Sequence, residues 1–261
     1  MLGIVPAAGR GTRLQPIGFS KELMPVGSRV EPDGHERPMA VSEYLLERMV
    51  KAGATRICIV ISPEKTDIVR YYGARFQDVP IVYTVQEEPL GLPHAIFCGN
   101  VTDSADSTEE ILVGLPDTIW FPDNGFESLA PNEGDTRQYG IRFLLFPTNR
   151  PSLYDAVMCR EMRGRVDSIL TKEPVPFQFA SWAWGAFKLS ASVLTELLVE
   201  WRLRGQKDVQ IGPLVTAWIE RSGGMAEAVR GLTDYVDVGT VNGYREALQL
   251  LEQKAKVLAV S

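Results

Sequence analysis

Two runs near the start of the chain, Leu2 to Val5 and Arg56 to Ile61, are apolar almost without a break. Between them Leu45, Leu46, Met49 and Val50 recur at helical spacing, with Ser42 placed to cap the helix start and Gly53 to end it. Strands apolar on both faces belong inside a parallel sheet, and a helix joining two of them makes a right-handed crossover. A helix over about 64–73 and strands at 81–85 and from Ile111 extend the pattern. The expectation is an α/β fold with a doubly wound, mixed, mainly parallel sheet, whose ligands sit beyond the carboxyl ends of the strands.

The turn after Val5 lies at such an end. It reads Pro6-Ala7-Ala8-Gly9-Arg10-Gly11-Thr12-Arg13, followed by Lys21-Glu22-Leu23-Met24-Pro25-Val26. Ala7, Ala8, Gly9, Gly11 and Thr12 leave little bulk over the backbone, so N–H groups there can face an anion. Arg13 and Lys21 add permanent charge, which suits a polyphosphate. Taken alone, a small-residue turn after a strand can equally be a plain connection. It is not a Walker A sequence, lacking Gly-Lys-Ser/Thr, and its spacing is not that of a dinucleotide-binding turn. The polar run over 27–38, with two prolines and three glycine or serine positions, reads as a loop beside this turn.

Further along, Ile111 to Leu115 leads through Pro116 to Asp117, and Tyr235-Val236 leads to Asp237 just before a helix over about 242–256. A carboxylate at a strand end can ligate magnesium or simply cap the next segment. Gln86 ends a strand and Gly91 opens a helix; the amide could read a base edge, or the stretch could be a polar turn. His94 reads as a packing residue. The middle of the chain is strand-rich, at 141–146, 156–160, 166–170 and 182–188, and the helices at 192–203 and 211–222 read as scaffold.

Taken together these motifs resemble the sugar-1-phosphate nucleotidylyltransferases, the family of glucose-1-phosphate thymidylyltransferase and UTP-glucose-1-phosphate uridylyltransferase. The resemblance implies a Rossmann-like, GT-A-like domain over 1–261 with a sugar-facing lobe inserted at about 140–190. It also leads to the expectation of no carboxyl-terminal β-helix domain. It assigns Gln86, Gly91 and Pro116 to the nucleotide base, with Pro116 replacing the family's Gly. Asp117 and Asp237 become ligands of one Mg2+ ion. The segment from Tyr154 to Pro174 resembles the family's Tyr-Gly-Val-Val … Glu-Lys-Pro stretch, with Asp155 in the Gly place and Thr171-Lys172-Glu173-Pro174 at its end. Lys172 is carried over as the cation on the sugar phosphate, or Glu173 stands there after a one-residue shift. Asp155, Thr171, Glu173 and Trp184 border the sugar, Trp184 stacking on a ring or packing in the core.

The implied reaction is nucleotidyl transfer from a nucleoside triphosphate to a sugar 1-phosphate, with dTTP or UTP and glucose 1-phosphate the first choice. Guanylyl or cytidylyl transfer to another sugar is the alternative within the family, and a non-catalytic sensor of nucleotide sugars the alternative outside catalysis. A formal net charge of −6 argues against a nucleic-acid surface, and no apolar run reaches membrane-spanning length. Cys58, Cys98 and Cys159 are odd in number and far apart, so a reduced, cytoplasmic protein is expected. A homo-oligomer is left open.

Overall fold

The computed structural model describes residues 1–101, 108–131, 139–161, 163–171 and 182–258. The strands are β1 (Leu2–Pro6), β2 (Pro25–Val30), β3 (Glu36–Ala40), β4 (Arg56–Ile61), β5 (Arg75–Phe76), β6 (Val79–Val85), β7 (Glu110–Gly114) and β8 (Thr118–Phe121). They continue with β9 (Ile141–Pro147), β10 (Asp155–Met158), β11 (Arg163–Arg165), β12 (Ser168–Thr171), β13 (Trp182–Ser190), β14 (Ala226–Val229) and β15 (Asp234–Asp237). The helices are α1 (Val41–Lys51), α2 (Thr66–Tyr72), α3 (Leu92–Cys98), α4 (Ala191–Leu203), α5 (Ile211–Ser222) and α6 (Val241–Leu258).

The main sheet runs β11-β14-β9-β13-β7-β1-β4-β6-β5, with β10 and β12 joined to it through β13. Strands β7, β1, β4 and β6 are mutually parallel, as their two-sided apolar pattern requires. Alternate residues of β1 and β4 feed two cores. Leu2, Ile4, Cys58 and Val60 face the helices α3, α4 and α5, while Val5, Ile57, Ile59 and Ile61 face α1 and α2. The sheet is therefore doubly wound, with helices on both faces. Strand β13 runs antiparallel to both β7 and β9, so the strands of the 140–190 segment continue the sheet that carries β1. Its register shifts between Trp184 and Ala186, where the Tyr235 ring lies 2.7 Å from the place a Cβ on Gly185 would take.

Three local expectations change. The 27–38 run is a hairpin, with β2 and β3 paired antiparallel from Pro25/Ala40 to Val30/Glu36. Arg29 explains it, since its guanidinium bonds Glu31 on the hairpin and Glu43 and Glu47 on α1, all at 2.8–2.9 Å. Ser42 does not cap α1. The helix starts two residues earlier, with Ala40 at the cap, where the Glu43 carboxylate accepts the Ala40 N–H at 3.0 Å, and the Ser42 hydroxyl donates instead to the Glu22 carbonyl at 2.6 Å. The 166–170 strand is broken. Val166 and Asp167 separate β11 from β12, because Val166 N–H is taken by Ala226 and Asp167 N–H by Met158.

The turn from β6 into α3 is clamped by the α4–α5 connection. Gly91 has φ of 98° and ψ of −178°, and a Cβ there would lie 2.5 Å from the Val209 Cα. Leu92 N–H donates to the Val209 carbonyl at 3.0 Å. Gly91→Ala should therefore combine an unfavourable backbone conformation with a backbone clash and cost on the order of 1–3 kcal/mol. A lower urea midpoint at unchanged m-value is the expected result of equilibrium unfolding.

Candidate active site

Beyond the carboxyl ends of β1 and β7, four charged side chains from distant parts of the sequence meet. Asp117 follows β7 and is buried, with its carbonyl accepting the Val238 N–H at 2.8 Å. Its Oδ2 takes the Lys21 ammonium in a short, largely buried ion pair. Asp237 ends β15, which pairs antiparallel with β8, so the small β8–β15 sheet brings the two aspartates together. Arg13 reaches Asp237 Oδ2 at 3.4 Å from an exposed position. Asp237 Oδ1 accepts the Gly239 N–H at 2.7 Å. The Thr240 hydroxyl then accepts the Gly243 N–H at 3.0 Å, which caps α6.

The spacing of the two carboxylates is fixed by a third residue. A Cβ placed on Gly239 would lie 2.7 Å from Asp237 Oδ1, 3.0 Å from Asp117 Oδ2 and 3.1 Å from Arg13 Nη2. Two carboxylate oxygens thus approach one point. Burial raises the Asp237 pKa, and the Asp117 carboxylate raises it further. Asp117 is itself pushed up by burial, but the Lys21 charge and hydrogen bond outweigh this and hold it below the usual aspartate value. For Lys21 burial works downward, and the Asp117 and Glu22 carboxylates overcome it, so the lysine stays charged. Magnesium takes one or two protein carboxylates and completes its shell with water and phosphate oxygens, so this oxygen-only pair fits it. Among the described residues no group of three or more His, Cys, Asp or Glu gathers as a self-sufficient metal cage.

The Pro6–Arg13 turn lies beside this cluster. Ala7 and Ala8 are buried, whereas a Cβ on Gly9 would meet nothing within 4 Å. Gly11 has φ of 63°, with the Lys21 chain 3.1 Å from its missing Cβ. Among the described residues, no acceptor takes the main-chain N–H of Ala8, Gly9, Arg10 or Gly11. Thr12 and Arg13 form a short 3-10 turn whose hydrogen bond runs from Leu14 N–H to the Gly11 carbonyl. The turn thus offers free donors next to two cations.

A cleft of about 140 Å³ opens here, lined among others by Arg13, Asp117, Tyr154, Asp155, Trp184 and Asp237. A hollow of about 550 Å³ lies on the Lys21 side of the ion pair, with Arg10, Lys65 and Arg70 in its wall. Asp155 is buried, and the Trp184 indole N–H points at its Oδ2 from 3.4 Å. Trp184 also packs against Phe143 and Phe187, so it both lines the cleft and belongs to the core.

Other sequence candidates stand elsewhere. The Gln86 amide N–H donates to the Gly91 carbonyl at 3.1 Å and lies 3.1 Å from His94 Nδ1, so this side chain holds the turn and does not line the cleft. His94 stacks on Trp201 with ring centres 5.5 Å apart, the packing role expected of it. Pro116 is buried behind Asp117 and also stays off the cleft wall. Thr171 pairs with Asp155 across β12 and β10, and its hydroxyl lies 3.0 Å from the missing Cβ of Gly212 on α5. Lys172 and Glu173 fall outside the described residues. Sequence reading passed over Gln210, Tyr154 and Tyr235 in the cleft wall. Tyr235 stacks on Phe146 at 3.9 Å, and the aromatic residue two positions before Asp237 was its only signal.

A profile of the nucleotidyl transferase family matches residues 2–254. The chain belongs to that family. Among curated relatives, it is 25% identical over 258 residues to a glucose-1-phosphate thymidylyltransferase of Neisseria meningitidis serogroup A, an alignment covering 97% of this chain and 83% of the relative. It is 35% identical over 120 residues to a UTP-glucose-1-phosphate uridylyltransferase of Haloferax volcanii, covering 46% of this chain and 44% of that protein. With that relative, and with a Xanthomonas campestris thymidylyltransferase at 55%, the match spans about half the relative's length. A UTP-bound UGPase of Acinetobacter baumannii superposes with a TM-score of 0.74 at 19% identity, covering 100% of this chain and 99% of that one. That likeness is one of fold, and it places this chain's mixed sheet within a known architecture.

One close approach in this family member is measurable without any substrate. A Cβ on Gly243 would lie 1.8 Å from the Asp237 carbonyl oxygen. Gly243→Ala must push α6 away from β15, so Asp237 should shift although the substitution favours the helix itself. The expected result is a lower thermal midpoint despite the gain in helix propensity.

Proposed function

We propose that the protein transfers a nucleotidyl group from a nucleoside triphosphate to a sugar 1-phosphate, releasing pyrophosphate. The observation that carries this reading is the meeting of Asp117, Asp237, Arg13 and Lys21 beside a turn with free N–H donors. The acceptor is already an anion, so the attack on the α-phosphorus needs no side-chain base. What it needs is alignment and relief of charge repulsion.

In this reading Arg13, Lys21 and the N–H groups of the Pro6–Arg13 turn bind the β- and γ-phosphates. Asp117 and Asp237 would hold Mg2+, which when bound offsets negative charge on the phosphates under attack. Lys172 positions the incoming sugar phosphate. Asp155, Trp184, Tyr154 and Gln210 border the sugar, the Asp155 carboxylate accepting from a hydroxyl. Gln86 and Gly91 act on the base side by fixing the turn that precedes α3. Residues 1–261 then work as one catalytic unit, the 140–190 segment supplying the acceptor side.

The names of the relatives favour dTTP or UTP with glucose 1-phosphate. Among the described residues no helix is long and apolar enough to cross a membrane, and all three cysteines are free, which supports a cytoplasmic reaction.

Incubating the protein with magnesium and five triphosphates against several sugar 1-phosphates, while following pyrophosphate, tests the proposal. Release should be fastest with dTTP or UTP plus glucose 1-phosphate, and silence across the array would overturn the reading. In the active combination, Lys21→Ala and Asp117→Asn should each lower turnover by roughly 10²-fold or more while the unfolding transition persists.

A further inference from the structure

Behind the Pro6–Arg13 turn lies a buried ion pair between Lys65 and Glu22. Lys65, at the turn from β4 into α2, places its ammonium 2.8 and 2.7 Å from the two oxygens of Glu22 and 2.6 Å from the carbonyl of Ala7. An ammonium has three donors, and all three are used. Both side chains are nearly or fully buried, 10% and 2% exposed. The first turn of α2 grips the other side of Lys21 as well. Asp67 accepts the Ser20 N–H and the Ser20 hydroxyl, each at 2.6 Å. Lys21 therefore stands between two residues, Ser20 and Glu22, that are both anchored to the start of α2, through Asp67 and Lys65.

The Ala7 bond matters most for the anion site. Ala7 N–H donates to the Val60 carbonyl at 2.8 Å, so the residue is held on both sides. In a trans peptide the C=O and the following N–H point in opposite directions. With the Ala7 carbonyl drawn inward by Lys65, the Ala8 N–H must face the opposite way, and no acceptor among the described residues takes it. Rotating that peptide would instead present a carbonyl oxygen, which repels a phosphate.

We propose that Lys65, held in place by Glu22, is a positioning residue that presets the Ala7–Ala8 peptide for the triphosphate and fixes the segment from which Lys21 reaches. The inference rests on the nucleotidyl-transfer reading and adds two residues to those given a role there. A buried ion pair is weak evidence for stability, because desolvation offsets its attraction, so a role in geometry accounts for it better.

Calorimetric titration with UTP and dTTP in magnesium buffer, together with steady-state kinetics, tests the idea. In Lys65→Met the dissociation constant of the better-binding triphosphate should rise at least about tenfold. Its KM should rise in parallel while the KM for the sugar 1-phosphate stays unchanged. Lys65→Arg, which keeps a cation able to reach both acceptors, should recover much of the affinity. The double variant Glu22→Gln with Lys65→Met leaves no unpaired buried charge, so it remains measurable if the single variant fails to fold. It should show the same weakened triphosphate binding. A purely structural pair would lower the melting temperature and leave both KM values and the dissociation constant where they were, which would overturn the proposal. Wild-type protein that binds neither triphosphate would remove the underlying reading itself, a result separate from any variant.

Discussion

The buried contact between Lys21 and Asp117 is the constraint around which the rest is arranged. Asp117 sits at the end of the central strand β7 with little access to water, and an isolated carboxylate there would neutralise or disrupt the sheet end. Lys21 supplies the counter-charge from nearly a hundred residues earlier, so the segment after β1 must return to the sheet edge before the site exists. Asp237 then approaches from the other end of the chain against Asp117's repulsion, which is part of what raises its pKa. Such an arrangement stores unfavourable electrostatics in one small place. A fold selected only for stability would have filled it with apolar groups.

Much of the scaffold was legible in the sequence because the signals are local. The β1–α1–β4 unit, the helices α4 and α5 and the strand ends bearing Asp117 and Asp237 follow from periodicity and turn residues that a few neighbours decide. The hairpin β2–β3 was not legible, since what orders that polar run is Arg29 reaching Glu43 and Glu47 on a separate helix. The split of β11 from β12 escaped for a similar reason: the hydrogen bonds that divide them go to Ala226 and Met158. Gln86 shows the limit of reading a side chain from its place in a motif. Its amide is bonded to Gly91 and His94, and only the fold decides whether such a group faces a ligand or its own turn.

The least legible part of the site is its backbone packing. Gly239 and Gly243 look like ordinary turn and helix residues, yet each marks a place where main chain or carboxylate approaches too closely for a side chain. Lys65 belongs in the same class, as a charged residue in an ordinary turn whose three bonds all run inward. These positions set distances in the site through packing and hydrogen bonds. For Lys65 the partners Ala7 and Glu22 lie far off in sequence, while for Gly239 and Gly243 the partner Asp237 is near and only the path of the main chain makes the approach close.

Helix α6 joins the two ends of this arrangement. It begins at Val241, four residues after Asp237, and further along it the Tyr244 hydroxyl donates to the Pro25 carbonyl at 3.3 Å, while Leu251 packs 2.8 Å from where a Cβ of Gly27 would be. The segment leaving Lys21 is thus braced by a residue 219 positions further along. On a translating ribosome, β1, α1 and β4 can pair as they emerge, but the charged centre has no complete frame until residues near 251 are clear of the exit tunnel. During synthesis the parallel strands β1 and β4 can therefore pair well before the chain has the geometry to hold polyphosphate, which separates the start of folding from the moment of competence.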